Sequence, residues 1–96
     1  MKGTLPVLRK KIDAIDQQLI STIAERLLLA QKIGLEKRKS AIPVVDLVRD
    51  QELQHRRGIQ ARAVGLDSEW LEKVFSLIIK ESKKIQKYLC SHIGLR

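Results

Sequence analysis

The sequence predicts an all-α protein of three helices, the first of them very long, forming a single domain over residues 1–96. Three observations predict it. Apolar residues recur at spacings of three, four and seven in three segments, the signature of a helix face. No segment alternates apolar and polar residues as a half-buried strand does. Turn-forming residues, Pro43 and Gly65, separate the segments.

The first helix is expected from about Leu5 to Lys39. Leu8, Ile12, Ile15, Leu19, Ile23, Ala30 and Ile33 mark its seam. Gly34 weakens the last turns by about 1 kcal/mol relative to alanine. Glu36, Lys37 and Arg38 are good helix formers, so the helix is expected to pass through it. A break near Gly34, giving a compact three-helix monomer, is the alternative. Ser40 to Val45, with Pro43, reads as a loop. Asp46 is a plausible N-cap for a second helix of about Leu47 to Ala63, and Gly65 suits its C-terminal cap. Asp67 or Ser68 can cap a third helix from about Glu69 to Ser91. Its apolar stripe runs through Trp70, Leu71, Val74, Phe75, Ile78, Ile79, Ile85 and Leu89.

The length of the first helix has a consequence for assembly. About 34 residues at 1.5 Å each make a rod of about 50 Å. A compact monomer of this size has a radius of gyration of only about 12 Å. Two shorter helices cannot cover such a rod, so an intertwined homo-oligomer is expected, a dimer being the commonest closed form.

Composition narrows the function classes. Hydrophobic residues make up 44% of the chain, too many for intrinsic disorder. A single cysteine, Cys90, excludes a disulfide scaffold and fits a reducing, cytoplasmic setting as an inert thiol. Apolar runs such as Leu27 to Ala30 are far short of a membrane span, and Arg9, Lys10 and Lys11 interrupt any secretory signal. The net charge of +8 is compatible with nucleic acid, an anionic membrane or small acidic ligands. Much of it can equally be solvated helix face, as in the stripe Lys80, Lys83, Lys84 and Lys87. His55 and His92 have no partners at metal-ligand spacing. There is no glycine-rich phosphate loop and no convincing nucleophile–base set, so neither a metal nor a cofactor is expected.

Charged and polar residues stand where a core is expected. Arg26 lies seven residues after Leu19 and seven before Ile33, inside the apolar seam. It must snorkel, pair with a carboxylate or face a polar pocket. Lys37 follows eleven residues later. Eleven residues make about three full turns, so the two share a face, about 16 Å apart along the axis. Long side chains from both could converge on a small ligand, although a solvated Lys37 near the helix C-terminus is the plainer reading. Arg9 is about 25 Å from Arg26 and about 100° round the helix, so it cannot reach the same small ligand from the same chain. It is either a surface arginine or a contribution from a partner chain. Asp46, Arg49, Asp50 and Leu53 form one mixed face of the second helix, for which capping and an Asp–Arg pair would suffice. Ser82 and Gln86 lie at i and i+4 on the third helix, in line with its apolar stripe. A buried glutamine needs partners for its amide, so the pair suggests a wet pocket or a tolerated edge position.

Leu8-Arg9-Lys10-Lys11-Ile12-Asp13-Ala14-Ile15-Asp16, then Glu25-Arg26, Lys37, the Pro43 loop, Asp46, Arg49-Asp50-Gln51, and Ser82 with Gln86 stand in one register. In that register the chain resembles the all-helical chorismate mutase family from Leu5 to about Leu89. The resemblance implies an intertwined homodimer with two shared active sites, each a cage for a dianion. Arg9 of one chain would join Arg26, Lys37, Asp46, Arg49, Asp50, Ser82 and Gln86 of the other. The reaction implied is the Claisen rearrangement of chorismate to prephenate in phenylalanine and tyrosine synthesis.

On that resemblance Arg9 and Arg26 would clamp the two carboxylates, and Lys37 and Gln86 would donate to the breaking ether oxygen. Asp50 would accept from the ring hydroxyl, Ser82 and the backbone near Asp46 would complete the polar shell, and Arg49 would order Asp50 and the surroundings of Lys37. Asp50 departs from the family, which usually has glutamate there, and is one methylene shorter. Rival readings are an isochorismate pyruvate lyase of the same fold, a basic helical dimer that binds nucleic acid, and a non-catalytic interaction module. The mutase reading expects no nucleic-acid or membrane partner. It also expects a monofunctional enzyme, unless the chain belongs to a longer polypeptide.

Overall fold

Helix α1 runs without interruption from Thr4 to Lys39, α2 from Leu47 to Ala63 and α3 from Ser68 to His92. The computed structural model of the protein describes residues 3–92, with side chains as far as Tyr88. The side chains of Leu89, Cys90 and His92, expected to close the apolar stripe or to be inert, lie outside the described residues, as does the segment 93–96. Among the described residues there is no strand.

Local chemistry accounts for the helix ends. Pro6 sits in the first turn of α1, where its missing N–H is one that no helix satisfies internally. Gly34 is buried within α1, which continues through it. Asp46 caps α2, its Oδ1 accepting from the Arg49 amide at 3.0 Å. Asp67 does the same for α3, accepting from the amides of Glu69 at 2.9 Å and Trp70 at 3.3 Å.

The C-terminal ends of α1 and α2 share one motif. After α2 the amide of Leu66 donates to Ala61 O at 2.8 Å and that of Gly65 to Arg62 O at 3.2 Å. This double closure requires a left-handed residue, and Gly65 supplies it with φ 78°. After α1 the amide of Ile42 donates to Lys37 O at 2.8 Å and that of Ala41 to Arg38 O at 3.2 Å. Here the left-handed residue is Ala41, at φ 55°. A Cβ in that region costs roughly 1–2 kcal/mol, partly offset in glycine by greater chain entropy. Ala41→Gly is therefore expected to stabilise the protein by about 0.5–1 kcal/mol, read as a higher denaturation midpoint at fixed protein concentration.

Helices α1 and α2 each pack against α3, which lies between them in the contact order. The contact with α1 involves its C-terminal half. The N-terminal half projects, and the chain is elongated, 63 × 28 × 15 Å with a radius of gyration of 17.6 Å. Ile12 is 58% exposed and Leu19 54%, and Leu8, Ile15 and Ile23 are exposed with them. The seam expected to form a core is thus uncovered within one chain over most of its length, because α3 reaches only the C-terminal turns of α1. Trp70, expected in the α3 stripe, is also exposed.

The accessible area of 8041 Å² exceeds the roughly 5,600 Å² usual for a folded monomer of this mass. Among the described residues the fully buried apolar side chains are Ala30 and Ala61, whereas Arg57, Ser82 and Gln86 are buried polar ones. Polar side chains are thus the majority of the buried ones among the described residues.

Candidate active site

A cavity of about 500 Å³ opens where α1, α2 and α3 meet. Arg26, Ala30, Ile33 and Lys37 line it from α1, Ser82, Lys83 and Gln86 from α3. Arg49, Asp50 and Arg57 line it from α2, with Asp46 at the head of that helix. Spacing alone placed Arg26 and Lys37 on one face of α1, and both reach this cavity. Asp46, Arg49, Asp50, Ser82 and Gln86 reach it too. Arg9 does not: it is exposed on the projecting half of α1, outside the cavity.

Arg26 donates from Nη1 to Ser82 Oγ at 3.0 Å, and Ser82 Oγ donates to the Ile78 carbonyl at 3.0 Å. Ser82 thereby turns an arginine in an apolar seam into an anchored one. Arg26 retains further N–H donors for a ligand. Burial, and then the neighbouring Arg57 guanidinium, push the Arg26 pKa below its ordinary value. Two close cations in a half-buried site form a ready place for an anion.

Lys37 Nζ donates to the Val44 carbonyl at 2.7 Å, which ties the end of α1 to the Pro43 loop. Gln86 is only 6% exposed, and its Oε1 is buried without a hydrogen-bond partner. Leaving a buried amide acceptor unpaired costs about 1–3 kcal/mol, a cost that a ligand in the cavity can remove. Asp46 spends one carboxylate oxygen on the α2 cap. The side chain of Arg49 is exposed at the rim, and its backbone amide is the one that receives the cap.

Three charged lining residues were not anticipated as part of a site. Arg57 and Glu72 form a two-point ion pair, Nη2 to Oε1 at 2.7 Å and Nε to Oε2 at 3.1 Å. The Arg57 guanidinium also lies over Phe75, 4.9 Å from the ring centroid, while Arg26 is 6.0 Å from the same ring. Phe75 is thus shared by both guanidiniums, a favourable cation–π arrangement.

Lys83 is the third, and it corrects the reading of the Lys80–Lys87 stripe as plain solvated face. Its Nζ approaches Asp50 Oδ1 at 3.4 Å and the Val44 carbonyl at 3.3 Å. Sequence signals for two of them existed. Arg57 continues the α2 face at four residues from Leu53 and seven from Asp50, and Lys83 is three residues from Gln86.

Removing Glu72 leaves Arg57 charged, nearly buried and unpaired. Glu72→Leu is expected to cost about 3 kcal/mol, and the double variant Arg57→Met with Glu72→Leu to recover most of it. Urea unfolding at fixed protein concentration measures both. Hydrogen bonding to Arg57, opposed by partial burial, holds the Glu72 carboxyl below its usual value. The sign follows: its stabilisation is complete above the unfolded-state carboxyl pKa of about 4.3 and is lost as pH falls through the lower folded value.

A family model described as chorismate mutase type II matches residues 8–87. The chain belongs to that family. It is 38% identical to the bifunctional chorismate mutase/prephenate dehydratase of Escherichia coli K12 over 88 residues, 92% of this chain but 23% of that one. It is 32% identical to the chorismate mutase of Methanocaldococcus jannaschii over 83 residues, 86% of this chain and 84% of that one. A similar level, 29% over 82 residues, relates it to the T-protein of Enterobacter agglomerans. This chorismate mutase family member thus spans about a quarter of the bifunctional relatives it matches, and most of the archaeal one. Among its described residues no group of His, Cys, Asp and Glu could hold a metal ion, and no helix is long and apolar enough to cross a membrane.

Proposed function

We propose that the protein converts chorismate to prephenate as a homodimer, with each cavity completed by Arg9 of the partner subunit. The cavity chemistry carries this reading. Five cationic side chains, Arg26, Lys37, Arg49, Arg57 and Lys83, face three carboxylates, Asp46, Asp50 and Glu72. The surplus of two positive charges suits a dianion. Arginine meets a carboxylate with two parallel donors, so Arg26 and the partner's Arg9 clamp the two ends of the substrate. Clamping both ends holds the compact conformer in which the reacting carbons meet.

The rearrangement is unimolecular: the ether C–O bond breaks as the new C–C bond forms, and negative charge grows on the oxygen. Lys37 leaves or shares the Val44 carbonyl and donates to that oxygen. Gln86 turns its amide so that Nε2 donates as well. Both act where charge develops rather than where it already sits, which lowers the barrier rather than merely tightening binding. Ser82 keeps Arg26 in place.

The uncovered α1 seam supports the dimer. The excess accessible area is roughly 2,400 Å² per chain against the monomer norm. Two chains hiding it reach the range of obligate dimers, about 2,000–5,000 Å² in total. The same reading places the enzyme in the cytoplasm, feeding aromatic amino-acid synthesis, with no nucleic-acid or membrane partner.

The experiment is incubation of purified protein with chorismate and, separately, with isochorismate, followed by product identification. Prephenate from chorismate supports the mutase. Release of pyruvate from isochorismate alone supports the lyase of the same fold. Because Gln86 does not titrate, kcat is expected to stay flat from about pH 6 to 8. A sharp loss of turnover in that window without unfolding contradicts the role given to Gln86.

A further inference from the structure

Asp50, to which the resemblance gives the ring hydroxyl, meets Lys83 at the cavity wall from a different helix, and Lys83 has no role assigned so far. Lys83 is 22% exposed and Asp50 37% exposed, so each is partly shielded and partly open to the cavity. The other two lining carboxylates are occupied, Asp46 by the α2 amide and Glu72 by Arg57. Asp50 has one carboxylate oxygen engaged, by Lys83 Nζ at 3.4 Å. Lys83 has a further bond to the Val44 carbonyl, which leaves one of its three ammonium protons.

A dianion would keep its carboxylates away from Asp50. The substrate group that can approach Asp50 is a neutral donor, and chorismate has one, its ring hydroxyl. A hydroxyl both donates and accepts. An ammonium within 3.4 Å of the carboxylate is placed to serve the other half of it.

Resting on the mutase reading, in which Asp50 accepts the hydrogen of the substrate hydroxyl, we infer that Lys83 is a further specificity residue for that group and donates to its oxygen. The pair answers the shortness of Asp50. A side chain one methylene shorter than glutamate stops farther from the ligand, and the long Lys83 stem brings a second polar group to the same place. It also predicts selectivity. A site with two polar groups aimed at a hydroxyl rejects a ligand lacking it, because both are left without that partner.

The test compares chorismate with the analogue lacking the ring hydroxyl, in the wild type and in Lys83→Met. Any intrinsic difference in reactivity between the two compounds cancels in the ratio of ratios. Lys83→Met is expected to lower kcat/KM for chorismate by roughly ten- to a hundred-fold. For the analogue, by turnover or by its inhibition constant against chorismate, the change is expected to stay within about threefold. Equal losses for both compounds would overturn the inference, since Lys83 would then be serving a carboxylate or the fold.

Should Lys83→Met fail to fold, Lys83→Gln asks the same question: selective loss for chorismate supports the role of Lys83, and an equal loss overturns it. A wild type that leaves chorismate unchanged overturns the mutase reading as well, so the two failures are distinguishable.

Discussion

Arg26→Ala is expected to leave the helices intact and to lower kcat/KM by about 10²–10⁴. A two-point charge-assisted contact with a substrate carboxylate contributes roughly 3–5 kcal/mol. The structural cost is small by comparison. Ser82 loses a donor but still donates to the Ile78 carbonyl. Phe75 loses the more distant of its two guanidiniums, worth about 0.5–1 kcal/mol. Against that, Arg57 is freed from the repulsion that depresses the Arg26 pKa. Steady-state kinetics beside a thermal melt separates the two effects. An Arg26→Ala protein with wild-type turnover would return Arg26 to the role of a paired seam charge, as the interaction-module reading has it.

Lys37→Ala is expected to act on a different parameter. In the proposed mechanism its ammonium meets the ether oxygen only as charge develops there, so the loss should fall chiefly on kcat, by about 10²–10³. KM should move much less. The loop is not expected to collapse, because the Val44 carbonyl that Lys37 occupies also receives Lys83 at 3.3 Å. Lys37→Arg keeps the charge but replaces a compact ammonium with a broad fork, and should recover little. A loss confined to KM would contradict the assignment.

The helix framework was legible because its ends are chemical. Asp46, Asp67 and Gly65 are residues whose side chain, or lack of one, fits a helix terminus, and each does so here. The end of α1 was placed by the Pro43 loop rather than by its own cap, since Ala41 gives no signal of a left-handed turn.

The site was half legible. Arg26 was visible because a cation in an apolar seam is an anomaly that periodicity exposes, whereas Lys37 was linked to it only by helical spacing, with a solvated lysine as the plainer reading. Arg57, Glu72 and Lys83 were not, because their meaning depends on residues 15 and 33 positions away. Periodicity assigns Lys83 to a face of α3 but does not say that the second helix brings Asp50 over that face. The uncovered α1 seam has the same origin: period marks it as apolar, and no pattern within one chain states what covers it.

Mixing two variants, each expected to be inactive, tests the proposed shared site most directly. Arg9→Ala and Arg26→Ala chains are each expected to be nearly inactive alone. Unfolded together and refolded at equal concentration, half of the dimers pair unlike chains. In such a dimer one cavity carries both lesions and the other carries neither, so about a quarter of wild-type activity should return. No recovery, in a mixture shown by sedimentation to have exchanged chains, would mean that Arg9 does not serve the partner's cavity.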